Sequence, residues 1–142
     1  MKPRAIVIVA SLLLAACSGA NTVPIQSGDK CTRCRRPISD LRVAGEVVDA
    51  DGHAFKFRTA GCMAKWLKEH PLEGAHVFVV DYPTSRLVKA SGAIFVPTMM
   101  GEGPERALDY TAYALNEGAK DAAAREKTNP MKWDEVLAKA TL

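Results

Sequence analysis

Residues 42–50 carry Val43, Val47 and Val48 among polar neighbours and predict a strand. Asp51-Gly52 is a two-residue hairpin signal, and His53, Phe55 and Phe57 then share one face of a returning strand. Thr59 is placed to cap a helix from Ala60 to about His70, with Cys62, Met63, Trp66 and Leu67 near one side. Pro71 and Gly74 close that unit. Val77 to Tyr82 is apolar on both faces, as in a strand covered from two sides. Pro83-Thr84-Ser85 turns the chain, and Arg86–Lys89 and Ala93–Val96 supply returning strands. Gly103-Pro104 predicts a second helix with proline at its first position, running to about Asn116 and stopped by Gly118. Asn129-Pro130 opens a last helix in which Trp133, Val136, Leu137 and Ala140 share a face for docking on the core. The expected fold class is α+β: two ββα units packed as one domain, with an additional C-terminal helix.

Upstream the pattern changes in kind. Met1-Lys2-Pro3-Arg4 is basic, and Ala5 to Leu14 is a mostly apolar run that includes Ser11. A stable bilayer-spanning helix needs ~20 apolar residues, so this run is too short to be one. A basic start, a short apolar stretch and small residues before a cut site read as a signal peptide. Leu14-Ala15-Ala16-Cys17 resembles the bacterial lipobox, in which the cysteine thiol is acylated, with palmitate among the chains, and becomes the new N-terminus. Each buried methylene adds ~0.8 kcal/mol of membrane affinity, so two or three chains anchor firmly. Ser18 after the acylated position resembles outer-membrane sorting more than inner-membrane retention. The expected organisation is a signal peptide over residues 1–16, a lipid anchor and tether over 17–29, and a metal-binding domain over 30–142. The expected location is the outer membrane facing the periplasm, with the inner membrane left open.

Charge and cysteine count narrow the chemistry. Two of the positive charges behind the formal net charge of +3 belong to Lys2 and Arg4, so the mature chain is close to neutral and carries no nucleic-acid footprint. Of four cysteines, Cys31, Cys34 and Cys62 remain once Cys17 is acylated. An odd number of thiols in an exported chain leaves at least one free, metal-bound or paired with another molecule. No Ser-His-Asp order, no carboxylate pair with an assigned task and no phosphate-binding glycine loop is present, so an enzyme is not expected.

Three segments carry candidate metal chemistry. Cys31-Thr32-Arg33-Cys34 can present two sulfurs to one ion or close a structural disulfide, and Arg33, Arg35 and Arg36 around it favour thiolate. Cys62 falls in the first turn of its helix, where the dipole also favours thiolate, while Met63 beside it is equally a core residue. Met99 and Met100 sit in a glycine-flanked segment, Pro97 to Gly103. Thioethers are soft, uncharged donors suited to Cu(I), although a methionine pair is also ordinary packing material. His53 lies on an aromatic face and is either a ligand or a satisfied core residue, while His70 and His76 flank a turn and are solvated.

In this order the segments resemble the NosL family, the copper-binding accessory lipoproteins of nitrous oxide reductase. The resemblance runs from Cys31 to about Tyr113 and includes the lipobox upstream. It is carried by Cys34, by Asp51-Gly52, by Phe57-Arg58-Thr59-Ala60-Gly61-Cys62-Met63, by Val79-Val80-Asp81-Tyr82 with Thr84, and by Thr98-Met99-Met100-Gly101-Glu102-Gly103. The family's Gly-Met after the cysteine is Arg35-Arg36 here, its loop proline is Met99, and its two acidic residues before the helix are Arg58-Thr59. The resemblance implies a ββα-repeat fold and Cu(I) held by Cys34 and Met100, with a third ligand. Cys31, Cys62, Met63, Met99 and His53 are the candidates to supply what Arg36 cannot. It implies a periplasmic copper chaperone whose partner is an acceptor metalloenzyme or its assembly proteins. The first half also looks like small treble-clef metal domains, with Cys31, Cys34 and Cys62 in place and Arg58 at the fourth position. That alternative implies a structural zinc site, with His53 as a further ligand, or a Cys31-Cys34 disulfide, in a lipoprotein with an interaction role.

Overall fold

The computed structural model describes residues 21–141; the segment expected to be a signal peptide, and Cys17, expected to carry lipid, lie outside them. The chain runs β1 (Gly45–Val48), β2 (Ala54–Phe57), α1 (Ala60–Glu69), β3 (His76–Asp81), β4 (Arg86–Lys89), β5 (Ile94–Met100), β6 (Ala107–Tyr113), α2 (Asn116–Glu126) and α3 (Trp133–Lys139). One mixed sheet in the order β2-β1-β3-β6-β5 holds it together, with β4 paired to β3 outside that path. The α+β expectation holds, with the second unit shifted along the chain: β1-β2-α1 and β5-β6-α2 are antiparallel hairpins each followed by a helix, β3 and β4 join them instead of opening the second unit, and α3 follows at the end.

The expected helix from Gly103-Pro104 to Asn116 is not there. Gly103–Glu105 forms a single 3-10 turn, and the chain then enters β6, paired along its length with β5. Leu108, Tyr110 and Ala112 alternate with Asp109, Thr111 and Tyr113, a period of two in which β-branched and aromatic residues prefer the pleat. The helix lies later, over Asn116–Glu126, where an alanine-rich run favours it. Gly118 stands near its start rather than its end, packed against the ring of Tyr113.

The sheet is covered on both faces, which the alternation along its strands requires. Val47, Phe57, Val79, Phe95 and Ala112 face a core built with Met63, Ala64 and Trp66 of α1 and with Trp133 and Val136 of α3. Phe55 and Phe57 of β2 lie 4.9 and 5.2 Å, ring to ring, from Trp66, which fixes α1 over the first hairpin. Ile94, Val96 and Tyr113 point the other way, onto Ala119, Ala122 and Ala123 of α2. No described helix is long and apolar enough to cross a membrane.

The stretch expected to be a loose tether is docked from Val23 onward. Ile25 packs against Ile38, Ala44 and Val80. Lys56 donates to the Pro24 carbonyl at 2.8 Å and to Asp29 at 2.6 Å. The Val23 N–H donates at 2.8 Å to Glu46, a fully buried carboxyl on β1 whose other oxygen has no partner. Burial pushes the Glu46 carboxyl above the usual range. A group whose folded pKa is raised contributes stability that is complete below its unfolded pKa and is lost as pH rises through the folded one. Glu46→Gln, which cannot ionise, is therefore expected to stabilise the protein at pH 8 and to lose that advantage near pH 4. Urea unfolding of both proteins at the two pH values checks this.

Candidate metal centre

Cys31 and Cys34 lie in a tight loop ahead of β1. Its ends meet at an isolated bridge between Lys30 and Pro37. Within it the Cys31 N–H donates to the Arg36 carbonyl and the Arg35 N–H to the Cys31 carbonyl, both at 2.9 Å. The reversal places Arg35 at φ +62°, in the left-handed region where a side chain costs ~1 kcal/mol or more. Thr32 then donates its N–H to the Lys56 carbonyl at 2.7 Å, which pins the loop to β2. Arg35→Gly is expected to raise stability by about 0.5–1 kcal/mol, since the relief of strain exceeds the extra chain entropy of glycine. A thermal melt that moves downward would show that the Arg35 side chain holds the loop by other means.

The third thiol comes from α1. Thr59 caps the helix by accepting the Cys62 N–H at 3.1 Å. The Gly61 N–H donates at 2.9 Å to Asp109, which reaches across from β6. A Cβ on Gly61 would stand 2.8 Å from the Asp109 carboxylate, so only glycine admits this contact. The Thr59 hydroxyl, the Tyr110 N–H and the nearby Arg58 also support the Asp109 carboxylate, although burial still raises its pKa.

These elements bring three sulfur atoms to one place. The Sγ atoms of Cys31, Cys34 and Cys62 all lie within 4.8 Å of one another, and none is in a disulfide. Cys31 is fully buried, whereas Cys34 and Cys62 are half-buried. A hydrogen bond from the Cys62 thiol, with backbone N–H groups of Cys34 and Arg58, depresses the Cys31 thiol; the same bond and burial push Cys62 up. The two thiols therefore titrate as a pair that shares a proton, which eases the loss of the first one. Arg33 and Arg36 lie near enough to Cys34 and Cys62 to interact with negative charge on those sulfurs. Arg33 makes a two-pronged pair with Glu69, its closest contact 2.8 Å, and Arg36 pairs with Glu105. Three thiolates about 2.3 Å from one ion stand about 4 Å apart in a trigonal plane, so the spacing fits a single soft ion with little movement.

The other candidates are placed differently. Met63 is fully buried and ends against Gly45 of β1: a Cβ there would stand 3.0 Å from the Met63 sulfur, which makes this residue part of the core. His53 sits on the β1–β2 turn with its Nδ1 3.1 Å from Asp49, in a group with Asp49 and Asp51 rather than with the thiols. Its ring is largely exposed, because β2 begins only at Ala54. Met99 and Met100 are the last residues of β5 rather than members of a loop; the turn starts at Gly101. Met99 is 46% exposed. Both line a cleft of about 330 Å³ with Arg58, Thr59, Tyr82 and Thr98. Arg58 joins the two regions, its backbone N–H at Cys31 and its side chain in the cleft. The Arg36–Glu105 pair also ties the cysteine loop to the β5–β6 turn. Asp109, Glu69 and Glu105 were not expected at this site, and Arg58 was expected there only as the residue at the place of a fourth ligand. The one available signal was Asp109 in an otherwise apolar alternating segment, hidden by reading that segment as helix.

The six-stranded sheet with its three helices has a solved counterpart. The crystal structure of the copper chaperone NosL from Shewanella denitrificans superposes with a TM-score of 0.66 over 82% of this chain and 96% of that one, at 17% identity. The chain has the NosL fold. No protein-family profile matches the sequence, and no curated protein matches it. The NosL likeness therefore rests on tertiary structure and on the short motifs around Cys34, Cys62 and Met100. Arg35 occupies a left-handed position, a backbone conformation that suits glycine.

Proposed function

We propose that this protein binds Cu(I) as cargo and hands it to an apo-metalloenzyme, acting as a copper chaperone rather than as an enzyme. The observation that carries this reading is the convergence of three free thiols, from the Cys31–Cys34 loop and from α1, within 4.8 Å of one another on a NosL fold. Soft thiolates favour Cu(I), which accepts two or three ligands. A structural zinc site uses four, and the thiol group here has three cysteines, with Arg58 where the treble-clef likeness expects a fourth ligand. An incomplete shell leaves one side of the ion open to an incoming ligand of the acceptor. Transfer then goes by exchange of sulfur ligands without change of oxidation state.

The protein's buried groups have defined tasks in this scheme. Cys31 supplies a thiol that gives up its proton to metal readily, favoured by the Cys62 thiol and by the N–H groups of Cys34 and Arg58. Asp109 and Thr59 fix the first turn of α1 and with it Cys62. Met100 and Met99, on the neighbouring hairpin, are soft donors for an ion in passage. The resemblance to NosL extends the reading to a nitrous oxide reductase-type client, and the lipobox to a lipoprotein anchored through Cys17 and facing the periplasm.

Anaerobic Cu(I) titration followed by X-ray absorption tests the assignment. One equivalent bound through two or three sulfurs is the expected result. A bound ion surrounded by nitrogen and oxygen, or preference for zinc with four ligands, would overturn it.

A further inference from the structure

We propose that copper is exchanged with an acidic protein surface, recognised by arginines that surround the thiols in excess of their own counter-ions. The inference rests on the copper reading above and adds the chemistry of the partner.

Cys31 is closed off, so an incoming ligand must approach from the side of the half-buried Cys34 and Cys62. Four arginines border that approach. Arg33 and Arg35 flank Cys34, Arg36 follows, and Arg58 has its N–H at Cys31. Among the described residues, two carboxylates answer them in ion pairs: Glu69 for Arg33 and Glu105 for Arg36. Asp109 is near Arg58, but its carboxylate is taken up by Gly61, Tyr110 and Thr59. Arg35 is exposed and Arg58 half-buried, and neither forms an ion pair among the described residues.

The surface beside them is apolar. Met99 and Leu108 are direct cross-strand neighbours, 46% and 59% exposed. Met99 lines the same cleft as Arg58, and Leu108 follows closely on Glu105, the partner of Arg36. Hydrophobic residues set among unanswered cations suit a partner that brings carboxylates around an apolar contact. Two excess charges beside the exchange point raise the encounter rate with an anion and lower it with a cation.

The arginines have a simpler use, compensating the thiolates, and the experiment separates the two. The copper-loaded full chain is mixed with either of two dithiol peptides that share one Cys-x-x-Cys sequence and differ only in glutamate or lysine flanks, and the transfer rate is followed anaerobically. The expected result is transfer to the acidic peptide about tenfold or more faster at low ionic strength. The advantage should collapse near 1 M salt, where the screening length is about 3 Å. It should also shrink in the Arg35→Glu, Arg58→Gln variant, whose circular dichroism reports folding. Equal rates to both peptides from the unaltered loaded chain overturn this inference and leave the copper reading standing. A chain that loads no Cu(I) overturns both. Charge compensation alone would change the affinity in the variant without changing the ratio of the two rates.

Discussion

Replacing Cys31 by serine is expected to weaken Cu(I) binding by about a hundredfold, or ~2.7 kcal/mol. Cys31 is the most buried of the three thiols, and its neighbours lower its pKa below the ordinary thiol range. A serine hydroxyl is a hard, protonated donor at neutral pH and a poor ligand for a soft ion. The site would fall from three sulfurs to two, and the hydroxyl would inherit N–H groups of Cys34 and Arg58 that are aimed at a thiolate. Cys34→Ser and Cys62→Ser should weaken binding in the same direction, because each also removes one sulfur. Competition titration against a chromophoric Cu(I) chelator gives the affinities. An unchanged value for Cys31→Ser would remove this residue from the site, and with it the three-thiol arrangement.

Asp109→Ala should cost about 2 kcal/mol of stability and lower copper affinity as well. The carboxylate accepts the Gly61 N–H at the start of α1, a donor that has no intrahelical acceptor of its own. It also accepts the Tyr110 N–H at 2.9 Å. Alanine would leave these donors without their partner and open a space opposite Gly61, where the contact is too close for any Cβ. Cys62 belongs to the same helical turn, so its sulfur would lose its fixed distance to the other two. Denaturant unfolding measures the first effect and Cu(I) titration the second. Lost stability with fully retained affinity would show that the helix start does not position the thiol.

Much of the first half of the molecule was legible. Val47 and Val48, the Asp51-Gly52 turn, Thr59 as cap and the helix from Ala60 follow from local rules, and they stand in the structure within a few residues. The β1–β2 connection is longer than two residues, because Asp49 accepts the N–H groups of Asp51 and His53 and closes a wider turn. The second half was less legible. Pro104 after Gly103 is a local helix signal, but pairing with β5 along the whole of β6 outweighs it. Residues from Val23 read as tether because they are small and polar; Glu46 and Lys56, distant in sequence, dock them.

The sequence by itself determined the inventory: thiols at positions 31, 34 and 62, a helix whose first turn presents one of them, and a methionine pair. Short-range rules suffice for these because caps, turns and alternation act over a few residues. Tertiary structure decided which of the candidates meet. It gathered the three cysteines, sent Met63 into the core, left His53 with Asp49, and placed Arg58 between the thiols and the methionine cleft. Contacts between Cys31 and Cys62, or between Gly61 and Asp109, depend on how hairpins and helices stack. That stacking is fixed by the whole packed core, to which no local segment holds the key.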